Sequence, residues 1–325
     1  MATNLDKPVL VTGAAGFIGS HVAAALLARG ERIVGIDNFD PFYERKVKER
    51  NWTQATAGAA RSAFDFAECD IADQPALAAV FDRFKPKGVI HLAAKAGVRP
   101  SLKDPVGYAR ANVLGTAAIQ EEARRAGCER LVMASSSSVY GNAPKVPFSE
   151  TDDVSNPISP YAATKRACEA IAYTHWHLTK MPTACLRFFT VFGPRQRPDL
   201  AISMFMRRIS QGQTIPLYGE GTSRDYTFID DIVQGVLASY DTIDRHGYRV
   251  WNLGGSHPVP LDQMVATIAK VVGREPKIER GPMQPGDVQR TWADLSRSTA
   301  ELGYKPTTSF EEGVRKQWEW YRSLQ

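Results

Sequence analysis

The sequence predicts a doubly wound α/β fold, a parallel sheet with helices on both faces, joined to a smaller α/β lobe toward the C-terminus. Short β-branched runs alternate with longer helical stretches from residue 8 onward. Those runs are nearly continuous apolar segments, the pattern of strands buried on both faces. A cluster of glycines also sits where the first strand hands over to the first helix.

The first strand, PVLVTG, leads into a helix through FIGSHVAAALLARG and then to a second strand, RIVGID. The polar, weakly patterned segment DPFYERKVKERNWTQATAGAARS reads as a surface helix or loop. Strand GVIHLAA, a helix over ANVLGTAAIQEEARRAG, strand RLVMASS, a helix over YAATKRACEAIAYTHWHL and strand TACLRFF complete the rhythm. Beyond about residue 190 it breaks, with glycine, proline and arginine collecting in FGPRQRPDL, YGEGTSRDY and RGPMQPGD. The expected division is a dinucleotide-binding unit over residues 1–185 and a substrate-binding unit over 186–325. Residues 225–253 should return to the first unit, through the helix of YTFIDDIVQGVLASY and the strand VWNLGG.

With 325 residues, 43% hydrophobic and 23% charged, the chain can bury a core of one large or two modest domains. Its net charge of +5 is spread among interleaved signs, which argues against a nucleic-acid arm and suits an anionic small ligand. Four dispersed cysteines without a CxxC pair, and no histidine cluster, disfavour a disulfide framework or a metal site and point to reduced thiols in the core. The start, MATNLDKP, carries no apolar leader core, and no uncharged apolar run reaches about 18 residues. The expectation is a cytoplasmic protein without a membrane span.

VTGAAGFIGSH places Gly13, Gly16 and Gly19 at the strand-to-helix junction. A tight turn, a backbone that pyrophosphate can approach and a helix N-terminus that favours an anion all meet there. Asp37 lies eighteen residues past Gly19, where its carboxylate can accept hydrogen bonds from an adenosine ribose diol and repel a 2'-phosphate, favouring NAD over NADP. Asp70, in ECDIAD, either caps a helix or reaches the adenine amino group. Leu92, Ala93, Ala94 and Lys95 would end a strand beside the cofactor crevice.

Tyr161 and Lys165 are four residues apart on a helix and so share one face. A phenol serves as a base at neutral pH only where positive charge stabilises its phenolate, and a nearby ammonium supplies such charge.

In order along the chain, TGAAGFIG, HLAA, SSSSVYG, YAATK and RDYTFIDD resemble the extended short-chain dehydrogenase/reductases, and among them the NAD-dependent nucleotide-sugar 4-epimerases. The resemblance spans nearly the whole chain and implies a Rossmann domain. It makes Tyr161 the base, Lys165 its electrostatic partner and Ser136 a donor to the reacting hydroxyl. It extends the expected NAD contacts to Phe17, Ile18, Asn38, Ile71 and Phe188. Arg224 and Asp287 correspond to contacts with pyrophosphate and nucleoside, and Tyr218 could stack on uracil. Asn112 would hold a structural water or start a helix, and Arg99 is either a substrate ligand or a surface charge. The family also implies a homodimer, through the helices of YAATKRACEAIAYTHWHL and NVLGTAAIQEEA.

Relatives that dehydrate or decarboxylate a 4-keto sugar often carry an acid two residues before the tyrosine of SSxxVYG; here that position is Ser138, which favours plain epimerisation. RFFTVFGPRQRPD and MQPGD look most like UDP-glucuronate 4-epimerases, which implies conversion of UDP-glucuronate to UDP-galacturonate. UDP-glucose or UDP-N-acetylglucosamine is the alternative substrate; a decarboxylase or a non-catalytic dinucleotide sensor ranks below them. A sugar carboxylate wants a guanidinium fork or hydroxyl donors, for which Thr190, Arg197 and Arg195 are candidates with Ser137 nearby.

Overall fold

The structure, a computed structural model, describes residues 7–325; the first six, on which the leader reading partly rests, lie outside the described residues. Twelve strands are seen among the described residues: β1 (Val9–Thr12), β2 (Ile33–Asp37), β3 (Phe64–Glu68), β4 (Gly88–His91), β5 (Leu131–Ser136), β6 (Thr183–Phe188), β7 (Thr190–Phe192), β8 (Thr214–Tyr218), β9 (Ser223–Phe228), β10 (Tyr248–Leu253), β11 (Pro258–Pro260) and β12 (Lys277–Gly281). Seven form the main sheet in the order β3-β2-β1-β4-β5-β6-β10, with every neighbouring pair parallel.

The period of two along each strand builds two cores. Val9, Val11, Ile90, Val132 and Leu186 point to the side covered by helices Phe17–Ala28 and Ile229–Thr242. Leu10, Val34, Val89, Met133 and Cys185 point to the other side, against helices Gln74–Phe84, Gly115–Arg125 and Pro160–Thr179. This double burial makes the strands read as unbroken apolar runs. The order reverses between β1 and β4, and a crevice opens at their carboxyl ends.

The chain leaves this sheet after β6 to make β7, β8 and β9. It returns as helix Ile229–Thr242 and β10, then leaves again for β11 and β12. The excursions form a three-stranded sheet, β11-β9-β7, and a two-stranded one, β12-β8. Strand β9, within the segment expected to return, pairs with β7 and β11 instead of the main sheet.

The polar segment after β2 turns inward more than its sequence suggests. Helix Arg45–Thr56 buries Lys48, Asn51 and Ala55. Asn51 donates to the Ala15 carbonyl at 3.3 Å, and the Trp52 ring packs on Phe66 with centroids 4.9 Å apart. A buried face made partly of polar residues leaves no apolar periodicity to read.

All four cysteines are free and buried. Among the described residues no helix is long and apolar enough to cross a membrane, and no group of side chains has metal-ligand composition.

Candidate active site

The crevice begins at the glycine turn. Gly13 has φ +67°, and a Cβ there would stand 2.9 Å from the Ala93 backbone; a Cβ on Gly19 would stand 2.0 Å from the Gly13 carbonyl oxygen. The turn therefore presses β1 against the loop after β4 as only glycine allows. Helix Phe17–Ala28 starts at Gly16 with no side-chain cap, so its first N–H groups are left for an anion. At the end of β2, the Asp37 carboxylate accepts the N–H of Phe39 at 2.8 Å and of Ala15 at 3.3 Å, with the Lys48 ammonium 3.8 Å away. Burial pushes the Asp37 carboxyl up; the ammonium and the two amides oppose that push. A side-chain-free cradle and an oriented carboxylate suit the pyrophosphate and ribose of a dinucleotide.

One continuous cleft brings together most of the residues expected from the sequence. From the glycine end it is lined by Gly13, Gly16, Phe17, Ile18 and Gly19, then by Asp37, Asn38, Asp70 and Ile71. Leu92, Ala93, Ala94, Lys95, Ser136, Tyr161, Lys165, Phe188, Thr190 and Arg197 complete it. Asp70 accepts the Ala72 N–H at 2.9 Å and pairs with Arg110 at 2.8 Å, while Asp73 caps the following helix, so the capping reading of Asp70 is ruled out. Lys95 pairs with Asp104 at 2.8 Å.

Helix Pro160–Thr179 carries Tyr161 and Lys165 to the cleft. Ser159 caps it by accepting the Ala162 N–H at 3.1 Å. The buried Lys165 ammonium donates to the Ala134 carbonyl at 2.8 Å, tying the helix to β5. The Tyr161 ring meets Tyr108 edge-on, with centroids 6.2 Å apart. Ser136 ends β5; its hydroxyl accepts the Ser138 N–H at 3.1 Å and donates to the Ser138 hydroxyl at 3.1 Å. Ser137 and Ser138 begin the short turn beyond, outside the cleft lining.

Three supports stand behind these residues, of which the sequence singled out only Asn112. Ser135 donates to Glu169 at 2.6 Å, and Arg187 grips the same buried carboxylate with two bonds of 2.9 Å. Asn112, in a π-helical turn over Ala109–Leu114, donates to the Lys95 carbonyl and the Thr164 hydroxyl, both at 3.0 Å, and accepts the Lys95 N–H at 2.8 Å. It thus clamps the loop after β4 to the tyrosine helix from inside a helical turn, not from a helix start. His91 bonds the hydroxyls of Thr12 at 2.7 Å and Thr116 at 3.1 Å, and burial lowers its pKa to about 3, leaving it neutral.

Thr190 opens β7 on the cleft wall. Arg197 holds Asp199 through Nε and Nη2, at 3.0 and 2.8 Å, donates to the Ala96 carbonyl at 3.2 Å and lies over the Phe42 ring at 4.6 Å. Arg195, a candidate carboxylate ligand, is not in the cleft lining. Its φ of +62° lies in the turn after Gly193, and its charge acts on His21 and Asp230 instead.

The remaining expected ligands gather just outside the cleft. Arg99, two residues past the cleft-lining Gly97, pairs with Asp287 at 2.7 Å and lies over the Tyr218 ring at 5.3 Å. It is therefore not a lone surface charge. Arg224 donates to the carbonyls of Ser223 and Gln289 at 2.9 and 3.3 Å; burial, with a smaller push from Arg99, lowers its pKa.

The family described as GDP-mannose 4,6 dehydratase matches residues 10–317. A probable UDP-glucuronate 4-epimerase from Rhizobium meliloti (strain 1021) is 41% identical over 332 residues, covering 96% of each chain. The crystal structure of UDP-glucuronic acid 4-epimerase from Bacillus cereus, in complex with UDP-glucuronic acid and NAD, matches with a TM-score of 0.90 at 33% identity, covering 98% of this chain and 100% of that one. The crystal structure of UDP-glucose 4-epimerase from Thermotoga maritima with UDP-glucose matches with a TM-score of 0.88 at 28% identity, covering 98% of this chain and 99% of that one. With the glycine cradle, the tyrosine–lysine helix and these full-length matches in agreement, the chain belongs to the GDP-mannose 4,6 dehydratase family of extended short-chain dehydrogenase/reductases.

Proposed function

We propose that this protein is an NAD-dependent UDP-sugar 4-epimerase that interconverts UDP-glucuronate and UDP-galacturonate through a 4-keto sugar. The observation that carries the reading is the convergence of Ser136, Tyr161 and Lys165 with the glycine cradle, Thr190 and Arg197 on one cleft. The kinship to UDP-glucuronate 4-epimerases supports the choice of sugar.

In this reading the glycine turn and the open helix start hold the pyrophosphate of NAD, and Asp37 holds its adenosine ribose. NAD, when bound, supplies the acceptor that takes a hydride from C4 and later returns it. Tyr161 takes the O4 proton as the hydride leaves, and Ser136 donates a hydrogen bond to O4. Lys165, fixed against the Ala134 carbonyl, supplies a positive charge on the helix face that carries Tyr161. The sugar, planar at C4 as the ketone, turns over in the site, and Tyr161 gives the proton back to O4 as the hydride would return to the opposite face of C4. Arg99, Tyr218, Arg224 and Asp287 hold the nucleotide end, so binding energy remote from C4 retains the intermediate while the sugar rotates. Thr190 and Arg197 meet the sugar carboxylate, with Ser137 and Ser138 on the adjoining turn. That clamp keeps the carboxylate out of line with the ketone and so suppresses loss of carbon dioxide.

The test is incubation of pure protein with UDP-glucuronate, UDP-glucose and UDP-N-acetylglucosamine in parallel, followed by NMR. UDP-galacturonate is the expected product. Faster turnover of UDP-glucose would replace the substrate assignment, substantial UDP-pentose would overturn the clamp, and no turnover of any of the three would remove the enzyme reading.

We further infer a cytoplasmic homodimer, with a nucleotide-binding unit that runs through β6 (Thr183–Phe188) and regains residues 229–253, and a sugar-binding unit made of the rest. The half-exposed Tyr173 and the 75% exposed Leu178 on the tyrosine helix support a partner there. Four free thiols suit a reducing compartment. Light scattering after gel filtration tests the dimer.

A further inference from the structure

The inner face of helix Arg45–Thr56 carries a buried cation that the proposed mechanism does not use. Lys48 is 6% exposed and lines the cleft with Asp37, Asn38, Asp40 and Tyr43. Its ammonium donates to the Asp40 carbonyl at 2.9 Å and lies 4.8 Å from the centre of the Tyr43 ring. It stands 3.8 Å from an Asp37 oxygen, which is a charge contact and too long for a hydrogen bond. An ammonium has three N–H groups, so this one keeps donor capacity on the side of the carboxylate. The charges of Asp40 and Arg197 also act on Lys48, with opposite signs.

Asp37 alone would make this end of the cleft anionic. With Lys48 beside it, the two side chains sum to zero charge. A buried ammonium that neutralises a carboxylate is also a ready phosphate ligand once that carboxylate is gone.

We propose that Lys48 is a specificity-determining residue at the ribose end of the dinucleotide site. It sets a positive charge 3.8 Å from the Asp37 carboxylate, which the Phe39 and Ala15 amides orient, and it leaves rejection of a 2'-phosphate to that carboxylate alone. The inference rests on the NAD reading above. It follows that Asp37→Ser exposes the Lys48 ammonium to a 2'-phosphate and turns the site toward NADP. Removing Lys48 as well abolishes that gain.

The experiment is a competition for the full-length protein. Wild type, Asp37→Ser, Lys48→Met and Asp37→Ser/Lys48→Met are each incubated with equimolar NAD and NADP. Free dinucleotide is removed by gel filtration, and the bound fraction is released and quantified by chromatography. Wild type should retain NAD. Asp37→Ser should shift the bound NADP-to-NAD ratio by roughly tenfold or more, and the double variant should lose that shift. Lys48→Met alone should retain about tenfold less NAD, its buried carboxylate being unbalanced. A double variant that favours NADP as strongly as Asp37→Ser, or a folded Asp37→Ser that gains no NADP, overturns the proposal. Should Asp37→Ser fail to fold, Asp37→Asn carries the same comparison. Wild type that takes NADP as readily as NAD would instead remove the cofactor reading, so the two failures are distinct.

Discussion

The Glu169 carboxylate, four residues beyond Lys165 on the tyrosine helix, is gripped by Arg187 of β6 through two bonds of 2.9 Å, with both side chains buried. Ser135 of β5 donates to the same carboxylate. Three elements that present Tyr161, Lys165, Ser136 and Phe188 are thereby joined at one buried charge pair. Arg187→Met should strand that charge and cost about 3–5 kcal/mol, and Glu169→Gln/Arg187→Met should recover much of it. Urea unfolding of the two variants checks this; equal losses would remove the pairing argument.

Tyr161→Phe keeps the ring against Tyr108 and removes only the hydroxyl. Turnover of UDP-glucuronate should fall by about 10²–10⁴-fold, with NAD retention and melting temperature unchanged. Near-normal turnover in this variant would dismiss Tyr161 as the proton carrier.

Gly19→Ala would put a methyl group 2.0 Å from the Gly13 carbonyl oxygen, a backbone atom that cannot step aside cheaply. The variant should lose about 3 kcal/mol and retain little NAD. Calorimetry with and without added cofactor measures both effects.

Burial lowers the pKa of both His91 and His21 to about 3, against 6.5 for a free imidazole. Unfolding lets them take up protons, so their contribution is intact above about pH 6.5 and is lost as the pH falls toward 3. At pH 5 each should cost about 2 kcal/mol of stability. Between pH 7.5 and 5, His91→Asn should therefore lose about 2 kcal/mol less than wild type; parallel losses would contradict this.

The Arg99–Asp287 pair is half-exposed on the arginine side, so it adds at most about 1 kcal/mol to stability. Its expected weight is in binding. Asp287→Ala should raise KM for the UDP-sugar about tenfold and leave kcat within about twofold. A fall in kcat at unchanged KM would place Asp287 in the chemistry instead.

The sheet was legible because strands buried on both faces must be apolar throughout, and the glycine turn because a collision with Ala93 admits no side chain at Gly13. Tyr161 and Lys165 were legible because helical spacing alone puts them on one face. Residues whose meaning lies in a distant partner were not. Glu169 and Arg187 look like ordinary helix and strand charges until the fold joins them, and Lys48 hides among the charges of a polar helix. Arg195 and Arg197 are two residues apart in the same loop, yet a left-handed turn at Arg195 separates their surroundings. The edge strand β3, half-buried along most of its length, carries no strong apolar run and escaped the sequence reading.

The repeated crossing of the chain between the large sheet and the two small ones constrains how the molecule can breathe. A lobe sewn on at several seams has no single pivot, so opening it would have to flex each of those crossings at once. On the epimerase reading proposed above, room for a sugar ring to somersault then has to come largely from the resting cavity, and a bulkier hexose would be rejected at the pirouette more than at the door.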